Sequence, residues 1–425
     1  MSIEQLYDIY LQYPHVQTDT RKLKQGDIYF ALKGENFNGN QFAKQALEAG
    51  ASYAVIDEPA YQLNDQCILV DDVLSSLQQL ACHHRKQFNI PFIAITGSNG
   101  KTTTKELMHA VLSSTYKTSA TEGNLNNHIG IPLTILKIKK DTEIAIIEMG
   151  ANHQKEIEGY CKIALPTHAV INNCGKAHLE GFGGIEGVRK GKGELFDYIR
   201  EINGIIFRNA DLDYLISMSS GIEQQITYGS TTADYRGIIE SNEPLLNVAI
   251  TTPKLECIIR TQLVGEYNFP NVMAAVAIGS YFNIPIDTIQ KSIEHYSPSN
   301  SRSQLIVQGS NTIILDAYNA NPTSMAAAIR NFRNADYPNK VVMIGAMMEL
   351  GEESQHEHQQ IISLLEESNW NYVVLVGGDF KNCQHSYTYF NTSQEASAWY
   401  TSKSFEHTSF LIKGSRAMAM EKVLQ

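Results

Sequence analysis

An α/β protein with parallel sheets is the fold class this sequence predicts, and three observations carry the prediction. Apolar β-rich runs such as FIAIT, IAIIE, HAVIN, TIILDAY, KVVMIGA, YVVLVG and SFLIKG recur along the chain, separated mostly by helical patterns. Strands that are apolar throughout and alternate with helices belong to sheets covered on both faces. Residues 96–106, TGSNGKTTTKE, set a glycine-bounded loop between FIAI and an amphipathic segment. The length of 425 residues suggests about three domains.

The early runs DIYFAL, SYAVID and CILV form the first expected domain, residues 1–84, which ends near the stretch Cys82 to Lys86. The second, residues 85–302, begins with the strand that feeds the glycine-bounded loop. Between residues 229 and 262 the short segments YRGIIE, LNVAIT and ECIIRT read as an antiparallel appendage to it. The cluster YSPSNSRS, from Tyr296 to Ser303, is a linker composition, and residues 303–425 make the third domain.

The loop has the requirements of a phosphate cradle. Gly97 and Gly100 let the backbone turn its N–H groups toward phosphate oxygens, Lys101 adds a cation, and Thr102 adds a hydroxyl for Mg²⁺. Leu107, Met108, Val111 and Leu112 follow at helical spacing, so the loop opens a helix whose positive end faces the anion. Ile95 stands where the general pattern has its first glycine. A glycine turn before a surface helix is the bland alternative.

Other positions carry chemistry by their place at strand ends or in polar clusters. Glu148 closes IAIIE, where a carboxylate can serve a metal; a solvent-facing acid is the alternative. His178 and Lys192 lie in the glycine-loaded tract CGKAHLEGFGGIEGVRKGKGELFDYI, Lys192 on what reads as the start of an amphipathic helix. A structural histidine and a solvated lysine are the competing readings. Asn124, Asn126 and Asn127 form a polar cluster able to bind phosphate or substrate amide, or to cap a helix. In DAYNANPTSM, Asp316, Tyr318, Asn319 and Asn321 follow a strand, offering a carboxylate to ribose hydroxyls and a ring to a base, or else a turn before a helix. Lys413 and Arg416 flank Gly414 as a clamp for a carboxylate or phosphate, or as two surface cations.

Lys plus Arg is 34 and Asp plus Glu 45, a net charge of -11, a field that opposes nucleic acid and anionic membranes. The six cysteines form no C-x-x-C pair, which points away from zinc or a disulfide framework and toward the cytoplasm. MSIEQLYDIYLQYP lacks the basic start and apolar block of a signal peptide. A monomer is the default expectation.

Taken in order, TGSNGKTTTKE, EMG, AHLEGFG with GKGELF, YNFPNVMAA, DAYNANPTSM, MELGEES and KGSRAMAME resemble the motif series of the Mur ligases, ATP-dependent amide-forming enzymes of peptidoglycan precursor synthesis. DAYNANPTSM and MELGEES are similar to the blocks of the branch that adds D-alanyl-D-alanine to UDP-N-acetylmuramoyl-tripeptide. The resemblance implies three domains: a UDP-sugar-binding one, a central phosphate-loop sheet and a C-terminal Rossmann-like domain that closes over ATP. It assigns Gly97, Ser98, Asn99, Gly100, Lys101, Thr102 and Thr103 to the ATP phosphates, and Thr102 and Glu148 to one Mg²⁺. It puts His178 at a second metal and makes Lys192 a carbamylated ligand, so that Lys101, Glu148, His178 and Lys192 are catalytic. Asn268, Arg302, Asp316, Tyr318 and Asn319 are implied in nucleotide binding. Asn126, Asn127, Lys413, Ser415 and Arg416 are implied in substrate or dipeptide binding, and Thr20, Arg21, Lys33 and Gly34 in the UDP-sugar site.

The chain departs from the family pattern at Asn38 and Asn40 (aspartate and histidine expected), Tyr267 (histidine) and Ala346 (aspartate), and the Asn300, Ser301, Arg302 run lacks the glycine often found before that arginine. Another amide ligase of the same superfamily and a catalytically idle ATP-gated binding protein are the alternative functions.

Overall fold

The computed structural model describes residues 1–252, 255–299 and 301–425; Asn300 of the expected linker lies outside the described residues. Two compact units divide the chain.

The first unit takes in Met1–Ile95, Tyr116–Ala151 and Lys155–Ala169. Its N-terminal part holds a sheet in the order Val16–Gln17, Ile28–Phe30, Tyr53–Ile56, Cys67–Leu69, parallel throughout. Ile28, Tyr29 and Phe30 are all buried, which is why DIYFAL reads as a continuous apolar run rather than an alternating one. The helix Ile3–Gln12 starts at a Ser2/Gln5 capping box, and Asp72 caps the helix Val73–Arg85. Arg85 ends that helix by donating Nε and a terminal nitrogen to the carbonyls of Ala164 and Leu165, 2.9 Å each, with its guanidinium 3.6 Å above the Phe92 ring. Further on, Ile144–Glu148 pairs in parallel with Phe92–Thr96 on one side and Thr118–Ala120 on the other.

The second unit is formed by Thr96–Thr115, Asn152–Gln154 and Val170–Gln425. It opens with the helix Lys101–Leu112, which buries Leu107, Met108, Val111 and Leu112 as the periodicity requires; each such side chain contributes ~1.5–3 kcal/mol. Ile205–Asn209 and Gln224–Gly229 pair in parallel. Tyr235–Ser241, Asn247–Thr252 and Leu255–Arg260 form the expected antiparallel appendage. The last part is a six-stranded sheet in the order Gln304–Gln308, Asn311–Asp316, Ser409–Lys413, Lys340–Gly345, Tyr372–Val376, Thr388–Phe390. Only its first pairing is antiparallel; the others are parallel. The carboxyl ends of three adjacent strands therefore bring Asp316, Lys413 and Gly345 to one edge, the position where open α/β sheets bind ligands. The strands Thr118–Ala120, Gln224–Gly229, Gln304–Gln308 and Thr388–Phe390 are additions to the runs read from sequence.

Candidate active site

The phosphate loop is held open by its glycines and by a polar network beneath it. At Gly100, where φ is +79, a Cβ would lie 2.6 Å from Asn271 Oδ1, and at Gly97 it would lie 2.8 Å from Asn172 Cβ. Thr104 Oγ1 donates to Asn271 Oδ1 at 2.9 Å and accepts from Asn172 Nδ2 at 2.8 Å, and Asn271 Nδ2 donates to Asn268 Oδ1 at 2.8 Å. Ser98 Oγ donates to the Gly175 carbonyl at 2.9 Å, and the Asn99 amide donates to Asn173 Oδ1 at 3.0 Å. Lys101 Nζ folds back onto the Gly97 carbonyl at 2.5 Å. Thr102 and Thr103 occupy the first turn of the helix, so the seven residues assigned to phosphates form one continuous turn into a helix N-terminus. The bland reading of an ordinary surface turn does not fit this buried network.

In the first unit, Glu148 ends its strand buried, with 1% exposure. Its N–H donates to Thr121 Oγ1 at 2.9 Å, and Asn126 Nδ2 donates to its carboxylate at 2.7 Å. Gly150 explains the EMG sequence: a Cβ there would crowd the Asn126 side chain at 3.0 Å. Asn127 instead accepts from the amides of Ile129 and Gly130 at 3.1 and 2.9 Å, where the helix Gly130–Ile135 begins.

The glycine load around His178 and Lys192 is a packing requirement. The turn Leu179–Phe182 lies against the helix Ile185–Glu201, and a Cβ at Gly187 or Gly191 would meet the Phe182 carbonyl or ring at 1.8 or 2.4 Å. Lys192 sits in the middle of that helix, not at its start, and is 1% exposed, which removes the solvated-lysine reading. Its Nζ is 5.4 Å from the Phe182 ring centroid. His178, with φ of 52, places Nδ1 2.5 Å from a Glu349 carboxylate oxygen, within ion-pair distance though off the hydrogen-bonding axis. Contact with that ring lowers the Glu349 pKa, against the opposing effect of burial.

At the sheet edge, Lys413 Nζ meets Asp316 Oδ2 at 2.5 Å, and Asp316 Oδ1 accepts from the Ser303 amide at 3.1 Å. Lys413 is thus buried rather than a surface cation. Ser415 Oγ is buried with no hydrogen-bond partner among the described residues. The Arg302 guanidinium stacks 3.5 Å from the Tyr318 ring centroid and that of Arg416 lies 5.7 Å away, so one aromatic ring is flanked by two cations. Asn319 Oδ1 accepts from the Ala320 amide. Asn268 donates to the Val264 carbonyl, so its observed part is to support the phosphate loop through Asn271.

Among the UDP-sugar candidates, Lys33 pairs with Asp57 and Glu58 at 2.9 and 3.0 Å, and Gly34 lies beside it in a two-strand turn. Thr20 opens a short 3₁₀ turn capped by Asp19, and Arg21 is 85% exposed and engaged with Asp19. Asn40 donates to Asp57 and Asn38 to Glu58, so these amides hold the acids that hold Lys33. Tyr267, the other departure, shares a 3.0 Å hydrogen bond with Ser303.

No group of three His, Cys, Asp or Glu residues is gathered for a metal among the described residues. A Mg²⁺ does not require such a group, because it takes one or two protein oxygens and completes its shell with phosphate and water.

Asn172, Thr104, Asn271, Glu349 and His358 are functional candidates that the sequence reading did not single out. Asn172 had a readable signal, since it follows the apolar run HAVI at a strand end.

A buried strand, a glycine-turned loop and a helix that points its amino end at the loop define a nucleotide-phosphate-handling α/β protein. Three family descriptions match the chain: "Mur ligase family, catalytic domain" over residues 12–85, "Mur ligase middle domain" over 95–279, and "Mur ligase, glutamate ligase domain" over 301–416. The UDP-N-acetylmuramoyl-tripeptide–D-alanyl-D-alanine ligase of Bacillus subtilis is 38% identical over 81% of this chain and 76% of its own length. The enzyme of the same name from Escherichia coli is 33% identical over 96% and 92%. Among solved structures, MurF from Acinetobacter baumannii superimposes with a TM-score of 0.87 at 32% identity, over 96% of this chain and 92% of that one. MurF ligase from Thermotoga maritima in complex with ADP gives 0.87 at 25% identity, over 97% of each. This chain belongs to the Mur ligase family.

Proposed function

We propose that this chain joins D-alanyl-D-alanine to UDP-N-acetylmuramoyl-tripeptide with conversion of ATP to ADP and phosphate, forming the pentapeptide precursor of peptidoglycan. The observation that carries the reading is similarity over nearly the whole length to ligases named for that reaction, in a chain that has a formed phosphate loop.

The γ-phosphoryl group of ATP passes to the terminal carboxylate of the tripeptide, giving an acyl phosphate. The amine of the dipeptide attacks its carbonyl carbon, and phosphate leaves from the tetrahedral intermediate. Backbone N–H groups from Gly97 to Thr103 hold the ATP phosphates, and Lys101 turns from the Gly97 carbonyl to the phosphate oxygens. Arg302, Asp316, Tyr318 and Asn319 engage the nucleotide, with Asn268 acting beneath the loop. Lys413, Ser415 and Arg416 hold the dipeptide or departing phosphate, Ser415 with its unengaged hydroxyl. Asn126 orients Glu148, and Thr20, Arg21, Lys33 and Gly34 belong to the UDP-sugar site. Thr102, Glu148, His178 and Lys192 are the proposed Mg²⁺ ligands, Lys192 after CO₂ adds to its amine and turns a cation into an anionic oxygen donor. Bound Mg²⁺ supplies charge screening between carboxylate and γ-phosphate. Residues 1–84, 85–302 and 303–425 are the corresponding domains, in a monomer located in the cytoplasm. No helix among the described residues is long and apolar enough to cross a membrane.

The test is phosphate release by the purified protein with ATP, Mg²⁺ and bicarbonate, using UDP-muramoyl-tripeptides ending in L-lysine or meso-diaminopimelate. Release that requires D-alanyl-D-alanine is expected, and the preferred tripeptide identifies the third residue. Release independent of the dipeptide, or none with either tripeptide, overturns the reading in favour of another acceptor or an idle nucleotide switch.

A further inference from the structure

His178 and Glu349, whose side chains meet at 2.5 Å, share an uncommon backbone. Both are non-glycine residues in the left-handed region, with φ of 52 and 63. Glutamate in that conformation is disfavoured, and no local hydrogen bond from its long side chain compensates as it does for Asn or Asp. Such a residue persists where its surroundings hold it, and strain of this kind collects at functional sites.

The surroundings of Glu349 are specific. His358 is fully buried; its Nε2 accepts from the Met347 amide at 3.0 Å and its Nδ1 donates to the Ser354 carbonyl at 2.7 Å. The two bonds require a neutral ring with its proton on Nδ1. Phe380 meets the ring edge-to-face, with centroids 4.6 Å apart. Gly351, with φ of +56, lies so close to the His178 turn that a Cβ on it would be 3.2 Å from Glu180 Cβ. The turn from Met347 to Ser354 is thereby seated against the turn that carries His178, and Glu349 reaches across from it.

We propose that Glu349 is a positioning residue for His178. Its carboxylate, at ion-pair distance from Nδ1, leaves Nε2 as the nitrogen presented to a divalent cation, while His358 sets the turn from which Glu349 reaches. An imidazole that ligates a metal through one nitrogen ordinarily has the other held by a carboxylate or carbonyl, which fixes tautomer and ring plane. This inference rests on the reading of His178 as a metal ligand.

The experiment compares full-length wild type with the variants Glu349→Gly, Glu349→Gln and His178→Ala. It measures Mn²⁺ binding by electron paramagnetic resonance in the presence of ADP, ADP affinity, melting temperature, and kcat and KM. Glycine is the residue best suited to φ near 63, so Glu349→Gly is expected to melt no lower than wild type. It should bind ADP normally, yet bind Mn²⁺ about tenfold more weakly and lose kcat with KM for the tripeptide little changed. Glu349→Gln, which retains an acceptor oxygen, should recover part of the loss. If His178→Ala weakens Mn²⁺ binding and Glu349→Gly does not, the positioning role is wrong while the His178 reading stands. If His178→Ala binds Mn²⁺ as wild type does, the His178 reading itself fails. A fall in melting temperature of Glu349→Gly with a parallel loss of ADP binding would make Glu349 a folding residue and overturn the proposal.

Discussion

Lys192 and His168 are both buried ionisable side chains, and each supports a separate test. The reading of Lys192 as a carbamate predicts that Lys192→Ala lowers kcat by about a hundredfold or more, the usual cost of losing one electrostatic element of a transition state. It also predicts a carbamate resonance in ¹³C-bicarbonate NMR of the wild type that is absent from Lys192→Arg; activity of that variant equal to wild type would refute the role. His168 makes a different, pH-linked prediction. Burial lowers its pKa from 6.5 to about 4, so the folded state prefers the neutral ring. The contribution is complete above pH 6.5 and is lost as pH falls toward 4, at most about 3 kcal/mol. Urea denaturation at several pH values should show this loss in wild type and a shallower one in His168→Gln. Residue types and strand-end positions were readable from sequence; burial of Lys192 was not, because a lysine between glycines in a charged tract reads equally as a solvated side chain.

The phosphate-loop element was legible almost completely, since glycine positions, the following cation and the helical period are local properties. Its support was not: Thr104, Asn172 and Asn271 meet from three separate segments. Gly100→Ala is expected to force a left-handed alanine and displace Asn271, at a cost of about 1–3 kcal/mol, and to weaken ATP binding at least tenfold. Calorimetric titration with ATP and a thermal melt check both; unchanged affinity would show that the loop tolerates a Cβ. Thr104→Val tests the network itself. It leaves buried amide groups without their partner, an expected loss of about 1–3 kcal/mol, measurable by denaturant unfolding. The glycine load of residues 181–193 stands out in the sequence without a stated reason, and the structure supplies one: Gly187 and Gly191 permit the Phe182 turn to pack on a helix.

Across the whole molecule, the parts matched by the middle and C-terminal family descriptions are tied within the second unit by specific contacts. Lys176 Nζ meets Glu357 at 2.5 Å, with the Glu357 side chain 6% exposed. The Lys176 amide donates to Thr323 Oγ1 at 3.0 Å, and Asn321 Nδ2 donates to Asn99 Oδ1 at 2.8 Å while its own oxygen caps the next helix. Removing Lys176 leaves a buried carboxylate without its cation. Lys176→Met should therefore destabilise the second unit by about 1–3 kcal/mol, less than a fully buried pair because the lysine is itself half exposed. Denaturant unfolding checks this. An equal stability in Lys176→Met and wild type would assign the pair no net contribution.

The sequence by itself determined the alternation of strands and helices, the phosphate loop and the ordered motifs of a Mur ligase, because periodicity, glycine placement and strand-end polarity are encoded within a few residues. Only the tertiary structure decided what those residues touch. Asp316 and Lys413 are 97 positions apart and meet because parallel strands bring their carboxyl ends together; His178 and Glu349 meet because two tight turns pack against each other. Such pairings depend on the closure of long chain segments around a shared core, and no local pattern in the sequence records them.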